Sequence, residues 1–212
     1  MHDFEVREVA MFEWDGSEDR GPRLTGRRAF LIASGAALAG FVFWSYEKNG
    51  STDVAAAPIG PPKFVTIVEF TDAGERKGEV SVPMIEKSDA EWRKQLSASS
   101  FEITRRAGTE FPGTGELLNV HDKGVFRCIC CDTAVFSSAT KFDSGTGWPS
   151  FWEPIAKENV VETTDTSFGM TRTAVSCRRC EAHLGHVFDD GPRPTGLRYC
   201  MNSVAMRFAK AS

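Results

Sequence analysis

The six cysteines of this 212-residue chain fall into two groups. Four make two Cys-x-x-Cys pairs, Cys128/Cys131 and Cys177/Cys180. At this spacing one tight turn brings two sulfurs to the same ion, and zinc favours four thiolates in a tetrahedron. Two such turns on neighbouring hairpins predict a closed structural zinc site that holds the hairpins in place. Cys200, in the run GLRYCMNS, is then free to act as a nucleophile. With Leu197 to Phe208 read as one strand, Arg198, Cys200 and Asn202 share a face that Val204, Met206 and Phe208 continue. An arginine beside a thiol favours the thiolate, which is the attacking species. His183 and His186 follow the second pair and suit proton donation to a departing oxygen. Asp190 suits orientation of a ring or an arginine. Trp148, in the Gly/Pro-bounded run GTGWPSF, offers an apolar wall for a small methyl group.

The same residues leave other readings open. In an exported chain the cysteines can be paired as disulfides in several ways. The second pair continues as Cys177-x-x-Cys180-x-x-His183-x-x-His186, so a histidine can replace a cysteine as ligand. Cys130 sits inside the first pair and fits an alternative ligand, a buried thiol or a redox partner. The histidines and Asp190 also suit loop caps, and Trp148 or Cys200 suits an inert core.

Short extended runs must position these groups. From Gly124 onward, candidate strands are Val125 to Cys128, Ala134 to Ser137, Val160 to Thr166, Met170 to Ser176 and Leu197 to Phe208. Gly, Pro, Asp and Ser separate them, which predicts a mainly β, antiparallel domain. Short helices precede it. Ser88-Asp89-Ala90-Glu91 is a capping-box pattern opening a helix to about Ser97, with Trp92 and Leu96 on one face. A second helix is expected over Phe101 to Ala107, ended by Gly108. Before the helices, Phe64 to Phe70 and Glu79 to Ile85 flank the turn-like Asp72-Ala73-Gly74 and predict a β-hairpin.

Residues 1 to about 62 do not read as globular. Arg27-Arg28-x-Phe30-Leu31 precedes an apolar run from Phe30 to Trp44, the arrangement of a bacterial twin-arginine export signal. Gly26 stands where Ser or Thr is usual, and the leader before it is long and acidic. The run is short of the roughly 20 residues that span a bilayer. Cleavage near Val54-Ala55-Ala56 and retention as an anchor are both expected alternatives, with Gly50 to Pro62 as linker. Periplasmic delivery of a folded, zinc-loaded chain follows from the signal. The domain organisation expected is therefore 1–62 signal or anchor and linker, 63–87 hairpin extension, and 88–210 catalytic domain. A formal net charge of -4 argues against a nucleic-acid partner.

The runs FRCICC, SGTGWPSFWEP, CRRCEAHLGHVFDDGP and TGLRYCMNS together closely resemble the methionine-R-sulfoxide reductases of the B type, over roughly Ser88 to Phe208. The resemblance implies a barrel-like fold of two antiparallel sheets and structural zinc on Cys128, Cys131, Cys177 and Cys180. It implies Cys200 as nucleophile, Trp148 against the substrate methyl group, and His183, His186, Asp190, Arg198 and Asn202 around sulfoxide and thiolate. The implied reaction converts protein-bound methionine-R-sulfoxide to methionine through a Cys200 sulfenic acid, repairing oxidised proteins. Many members carry a resolving cysteine where this chain has Thr146. The expected reductant is therefore an external dithiol such as a thioredoxin-like protein, with Cys130 as the internal alternative. A zinc-ribbon binding module explains only the four paired cysteines. A peroxidase or disulfide exchanger needs two redox cysteines close together.

Overall fold

The computed structural model describes residues 61–212. The twin-arginine segment, the apolar run and most of the linker lie outside the described residues. Among the described residues, no helix is long and apolar enough to cross a membrane.

The first hairpin pairs β1 (Phe64–Phe70) with β2 (Arg76–Pro83). The second strand starts earlier than its alternation predicts, because an irregularity at Glu69/Phe70 lets Phe70 pair with Arg76. Helix α1 (Asp89–Gln95) has both halves of the expected capping box: Ser88 Oγ accepts from Glu91 N–H, and Glu91 accepts from Ser88 N–H. Helix α2 (Ala98–Arg106) begins before Phe101, because the Ser97 hydroxyl accepts from Ser100 N–H and caps it. Its left-handed terminal residue is Ala107, at φ 53°, ahead of the expected Gly108.

Nine further strands follow: β3 (Gly124–Cys128), β4 (Ala134–Ser137), β5 (Lys141–Phe142), β6 (Ser150–Phe151), β7 (Val160–Asp165), β8 (Arg172–Cys177), β9 (His183–Phe188), β10 (Arg198–Met201) and β11 (Met206–Lys210). They form a six-stranded sheet in the order β5-β6-β10-β9-β8-β7 and a three-stranded sheet in the order β11-β3-β4. All pairings are antiparallel. The expected mainly β architecture with short leading helices is present, and the two sheets stay separate in their strand hydrogen bonding.

One expectation fails. Leu197 to Phe208 is not one strand. A 3-10 turn at Ser203–Ala205 breaks it, and the chain leaves the large sheet at Met201 to enter the small one at Met206. The shared face therefore does not continue from Cys200 through Val204, Met206 and Phe208. Asn202 starts the turn, and the Ala205 N–H closes it on the Asn202 carbonyl.

Aromatic rings fill the space between the sheets. Phe136 stacks on Phe151 at 4.5 Å between centroids, and Phe126 meets Phe151 edge-on at 4.9 Å. Each fully buried ring contributes about 1.5–3 kcal/mol. Leu184, Met201 and Trp92 complete this core. The N-terminal hairpin adds a second, smaller core of Val68, Phe70, Val125 and Ala134. A fully buried amide ties it down. Asn159 accepts from Val68 N–H (2.7 Å) and donates to the carbonyls of Val68 (2.8 Å) and Ala134 (2.7 Å). One side chain thus satisfies main-chain groups that would otherwise be buried and unpaired.

Candidate active site and metal centre

The four paired cysteines converge as their spacing predicts. Their Sγ atoms all lie within 4.8 Å of one another, with Cys128 to Cys180 at 3.6 Å and Cys131 to Cys177 at 3.5 Å. A tetrahedron of sulfurs at zinc's usual bond length has edges of about 3.8 Å. A disulfide needs about 2.05 Å, and none of the six cysteines is disulfide-bonded. Donor type and spacing therefore fit zinc, and neither His183 nor His186 belongs to the cluster.

The two cysteine turns are copies of each other. Asp132 N–H bonds the Cys128 carbonyl and Glu181 N–H bonds the Cys177 carbonyl, both at 2.9 Å. Asp132 and Glu181 are both left-handed, at φ 64° and 56°. That conformation turns each chain back so that Cys128 N–H reaches the Thr133 carbonyl and Cys177 N–H reaches the Ala182 carbonyl. One turn links β3 to β4 and the other links β8 to β9, so the cluster joins the two sheets.

Cys200 stands apart, on β10. It pairs across the sheet with His186 of β9 on one side and Ser150 of β6 on the other. Gly185 lets β9 come this close: a Cβ there would lie 2.1 Å from the Cys200 carbonyl oxygen. Thr146 Oγ1 lies 3.8 Å from Cys200 Sγ. Burial pushes the Cys200 thiol up, while hydrogen bonding from Thr146 and the Arg198 charge oppose that shift. Arg198 is held by Asp190 through two bonds of 2.9 and 2.8 Å and lies over the Phe188 ring at 4.4 Å. Asp190 thus orients the arginine rather than a histidine, and Arg198 holds its carboxyl below the usual range.

Three positions apart on a regular strand, His183 and His186 would face opposite ways. The pairing of β8 with β9 jumps from Val175↔Gly185 to Ser176↔His183, leaving Leu184 as an extra, bulged residue. The bulge brings the two rings together, edge to face at 5.1 Å. Asn202 secures it: its N–H (2.9 Å) and Nδ2 (3.0 Å) both donate to the Leu184 carbonyl. Asn202 Oδ1 accepts from Glu110 N–H at 3.0 Å.

Glu110 and Asp165 are functional neighbours that the sequence reading missed. The Glu110 carbonyl accepts from Trp148 Nε1 at 3.1 Å, fixing the indole. Its carboxylate accepts from Ser203 N–H (2.7 Å) and Val204 N–H (3.1 Å). Gly147, at φ 93°, lets this loop lie on Trp148, since a Cβ there would sit 2.8 Å from Pro112. Asp165 Oδ2 binds His186 Nε2 at 2.8 Å and Arg172 at 2.7 Å. Bonds from Ser167, then from His186, hold the Asp165 carboxyl well below the usual range. Only the strand register joins Asp165 to His186, so spacing in the chain carried no signal for it.

His183 is 6% exposed, and its Nε2 has no partner among the described residues. Burial, then the His186 charge, lowers its pKa to about 4. An unfolded histidine titrates near about 6.5, so the unfolded chain takes up the proton first as pH falls. His183 therefore contributes stability that is complete above about pH 6.5 and is lost toward pH 4, roughly 3 kcal/mol in all. Urea midpoints at several pH values for the native chain and His183→Asn will show it. Acid-sensitive metal binding is common to both, so the difference between the two curves should grow across that window and stay flat above it.

The structure links these residues as follows: Cys200 pairs with His186, His186 packs on His183, Asp190 holds Arg198, Asn202 holds the β9 bulge, and Glu110 joins Trp148 to Asn202. Residues 96–210 match the SelR domain. This chain belongs to that family. Among curated proteins it is similar to the peptide methionine sulfoxide reductase MsrB of Hahella chejuensis, 53% identical over 127 residues, which are 60% of this chain and 91% of the relative. The protein of the same name from Pseudomonas putida is 54% identical over 124 residues, 58% of this chain and 93% of its own length. Peptide methionine sulfoxide reductase B1, chloroplastic, of Oryza sativa is 55% identical over 124 residues, 58% of each chain.

Proposed function

We propose that this protein is an oxidoreductase that reduces methionine sulfoxide in polypeptides to methionine, with selectivity for the R epimer. The observation that carries the reading is Cys200, excluded from the metal cluster and set beside Arg198 opposite His186, in a chain of the SelR family. The Cys200 thiolate attacks the sulfoxide sulfur. His186, its Nε2 held by Asp165, supplies the proton to the sulfoxide oxygen from its other ring nitrogen, and His183 assists. Oxygen passes to Cys200, methionine leaves, and a sulfenic acid remains. Trp148 receives the substrate methyl group, so the remaining chain points outward and can belong to a protein. Phe111, 82% exposed and next to Glu110, adds apolar surface beside that entrance.

A thiol of an external, thioredoxin-like dithiol condenses with the sulfenic acid and releases water. Its second thiol then restores Cys200 and leaves the reductant as a disulfide. Cys130 is 4% exposed and packed in the core with the metal cysteines, which favours the external route. The four paired cysteines hold a structural zinc ion, which supplies no step of the reaction.

The twin-arginine segment directs the folded chain to the periplasm, and the mature N-terminal residue distinguishes cleavage near Val54-Ala55-Ala56 from retention as an anchor. Separate assays of the R and S epimers of a blocked methionine sulfoxide test the activity. We expect turnover of R alone; equal rates, or peroxide reduction without sulfoxide reduction, would refute the reading.

A further inference from the structure

We propose that Ser144 is a positioning residue that stabilises the Cys200 thiolate through Thr146, as the middle link of a hydroxyl chain that reverses direction when the sulfur gains charge. The chain runs from Cys200 Sγ to Thr146 Oγ1 (3.8 Å), to Ser144 Oγ (2.8 Å), to Ser150 Oγ (2.8 Å) and to the Trp148 carbonyl (3.2 Å). Each hydroxyl has one proton to donate and lone pairs to accept.

Two orientations satisfy all three hydroxyls. With a neutral thiol, Cys200 S–H donates to Thr146, Thr146 to Ser144, Ser144 to Ser150, and Ser150 to the Trp148 carbonyl. With a thiolate, Ser150 donates to Ser144, Ser144 to Thr146, and Thr146 to the sulfur. Three O–H rotations interconvert them. No proton travels along the chain; the thiol proton leaves to water.

A backbone donor also meets the centre of the chain, in either orientation. Thr146 N–H also points to Ser144 Oγ, at 3.4 Å. In the thiolate orientation Ser144 accepts from Ser150 and from Thr146 N–H while donating to Thr146, which polarises the hydroxyl that meets the sulfur. Ser150 is fully buried and paired across the sheet with Cys200, so this end of the chain is fixed. The energetic need is local: Cys200 is partly buried, burial disfavours its charged form, and Thr146 is the largest opposing contribution.

This deepens the sulfoxide-reductase reading by assigning residues that tune its nucleophile, but its test needs no sulfoxide. The rate of Cys200 alkylation by iodoacetamide, followed by mass spectrometry against pH on the zinc-loaded chain, reports thiolate directly. Charged or titratable groups on the surrounding elements are Arg198 on its own strand, His183 and His186 on β9, Asp165 bonded to His186, Asp190 bonded to Arg198, and Asp143 in the loop after β5. All of these stay in place in every variant, so differences between profiles isolate the hydroxyls.

We expect Thr146→Val and Ser144→Ala each to move the profile to higher pH, slowing alkylation near neutrality by about tenfold, which is one pKa unit. Ser144→Thr restores the native profile. In the Thr146→Val background, Ser144→Ala adds no further shift, because its path to the sulfur is already cut. A Ser144→Ala profile that superimposes on the native one, or a shift that adds in full to that of Thr146→Val, would overturn the proposal. Zinc content identifies any misfolded variant, and Thr146→Val, nearly isosteric, then reads the end of the chain alone. If it leaves the profile unmoved, the proposal fails. If sulfoxide turnover proves absent while the alkylation shifts appear, the enzymatic reading fails and the hydroxyl chain stands.

Discussion

Cys200→Ser abolishes sulfoxide turnover, with kcat/KM falling by at least about 10⁴-fold, and leaves the fold and the metal content intact. A serine hydroxyl at neutral pH offers almost no anion, and its oxygen cannot take a second oxygen to form a sulfenic acid. A 10⁴-fold loss corresponds to about 5.5 kcal/mol of transition-state stabilisation. The fold is indifferent for a structural reason. Cys200 is not a fully buried core thiol, and the hydroxyl of Thr146 lies within hydrogen-bonding reach of its sulfur. A serine hydroxyl bonds readily there, so the stability change stays within about 1 kcal/mol. Steady-state rates on a blocked R sulfoxide, thermal melting and zinc analysis on the same preparation check all three. Residual turnover above about 1% of native, with the metal retained, would show that another group carries the chemistry.

The metal centre predicts the opposite pattern. Stripping the metal with a strong chelator, or Cys177→Ala, lowers the melting temperature by roughly 10–20 °C or more. Structural zinc in small sites contributes about 10–16 kcal/mol of apparent binding free energy, against a total stability of about 5–15 kcal/mol for a domain. At this size each kcal/mol moves the midpoint by about 2–4 °C. Cys177 is fully buried, and its turn carries β8 into β9, which bears both histidines. Loss of the ion should therefore loosen the two sheets against each other and reduce turnover, although the reaction proposed above has no step at the metal. Calorimetry with and without chelator, alongside metal analysis, checks the prediction. An unchanged midpoint in metal-free protein would mean that the aromatic core alone holds the sheets.

Local chemistry made parts of this molecule legible in the chain. The capping box at Ser88 and Glu91 involves groups three residues apart, so the helix it opens lies where its pattern places it. β1 matches its alternating run and β4 its short extended one. The two Cys-x-x-Cys turns need only their own backbone geometry, and that geometry is the same in both. The reading failed where one element depends on another. Nothing within Leu197 to Phe208 announces that the chain changes sheets at Ser203–Ala205; the backbone N–H groups of Ser203 and Val204 are drawn to Glu110, more than ninety residues away in sequence. Strand β9 is not among the candidate runs, and the Leu184 bulge that brings its two histidines together is held by Asn202.

By itself the sequence determined which atoms are available: four cysteine sulfurs at ligand spacing, two further cysteines (Cys130 and Cys200), two histidines, an arginine and a tryptophan. These follow from residue identity and short-range spacing, which a chain carries before it folds. Tertiary structure alone decided the partnerships: Asp190 with Arg198, Asp165 with His186, Glu110 with Trp148, and the hydroxyls of Ser144, Thr146 and Ser150 with the Cys200 sulfur. Strand register and the bulge in β9 set most of these contacts, and both arise from packing the two sheets around a shared aromatic core.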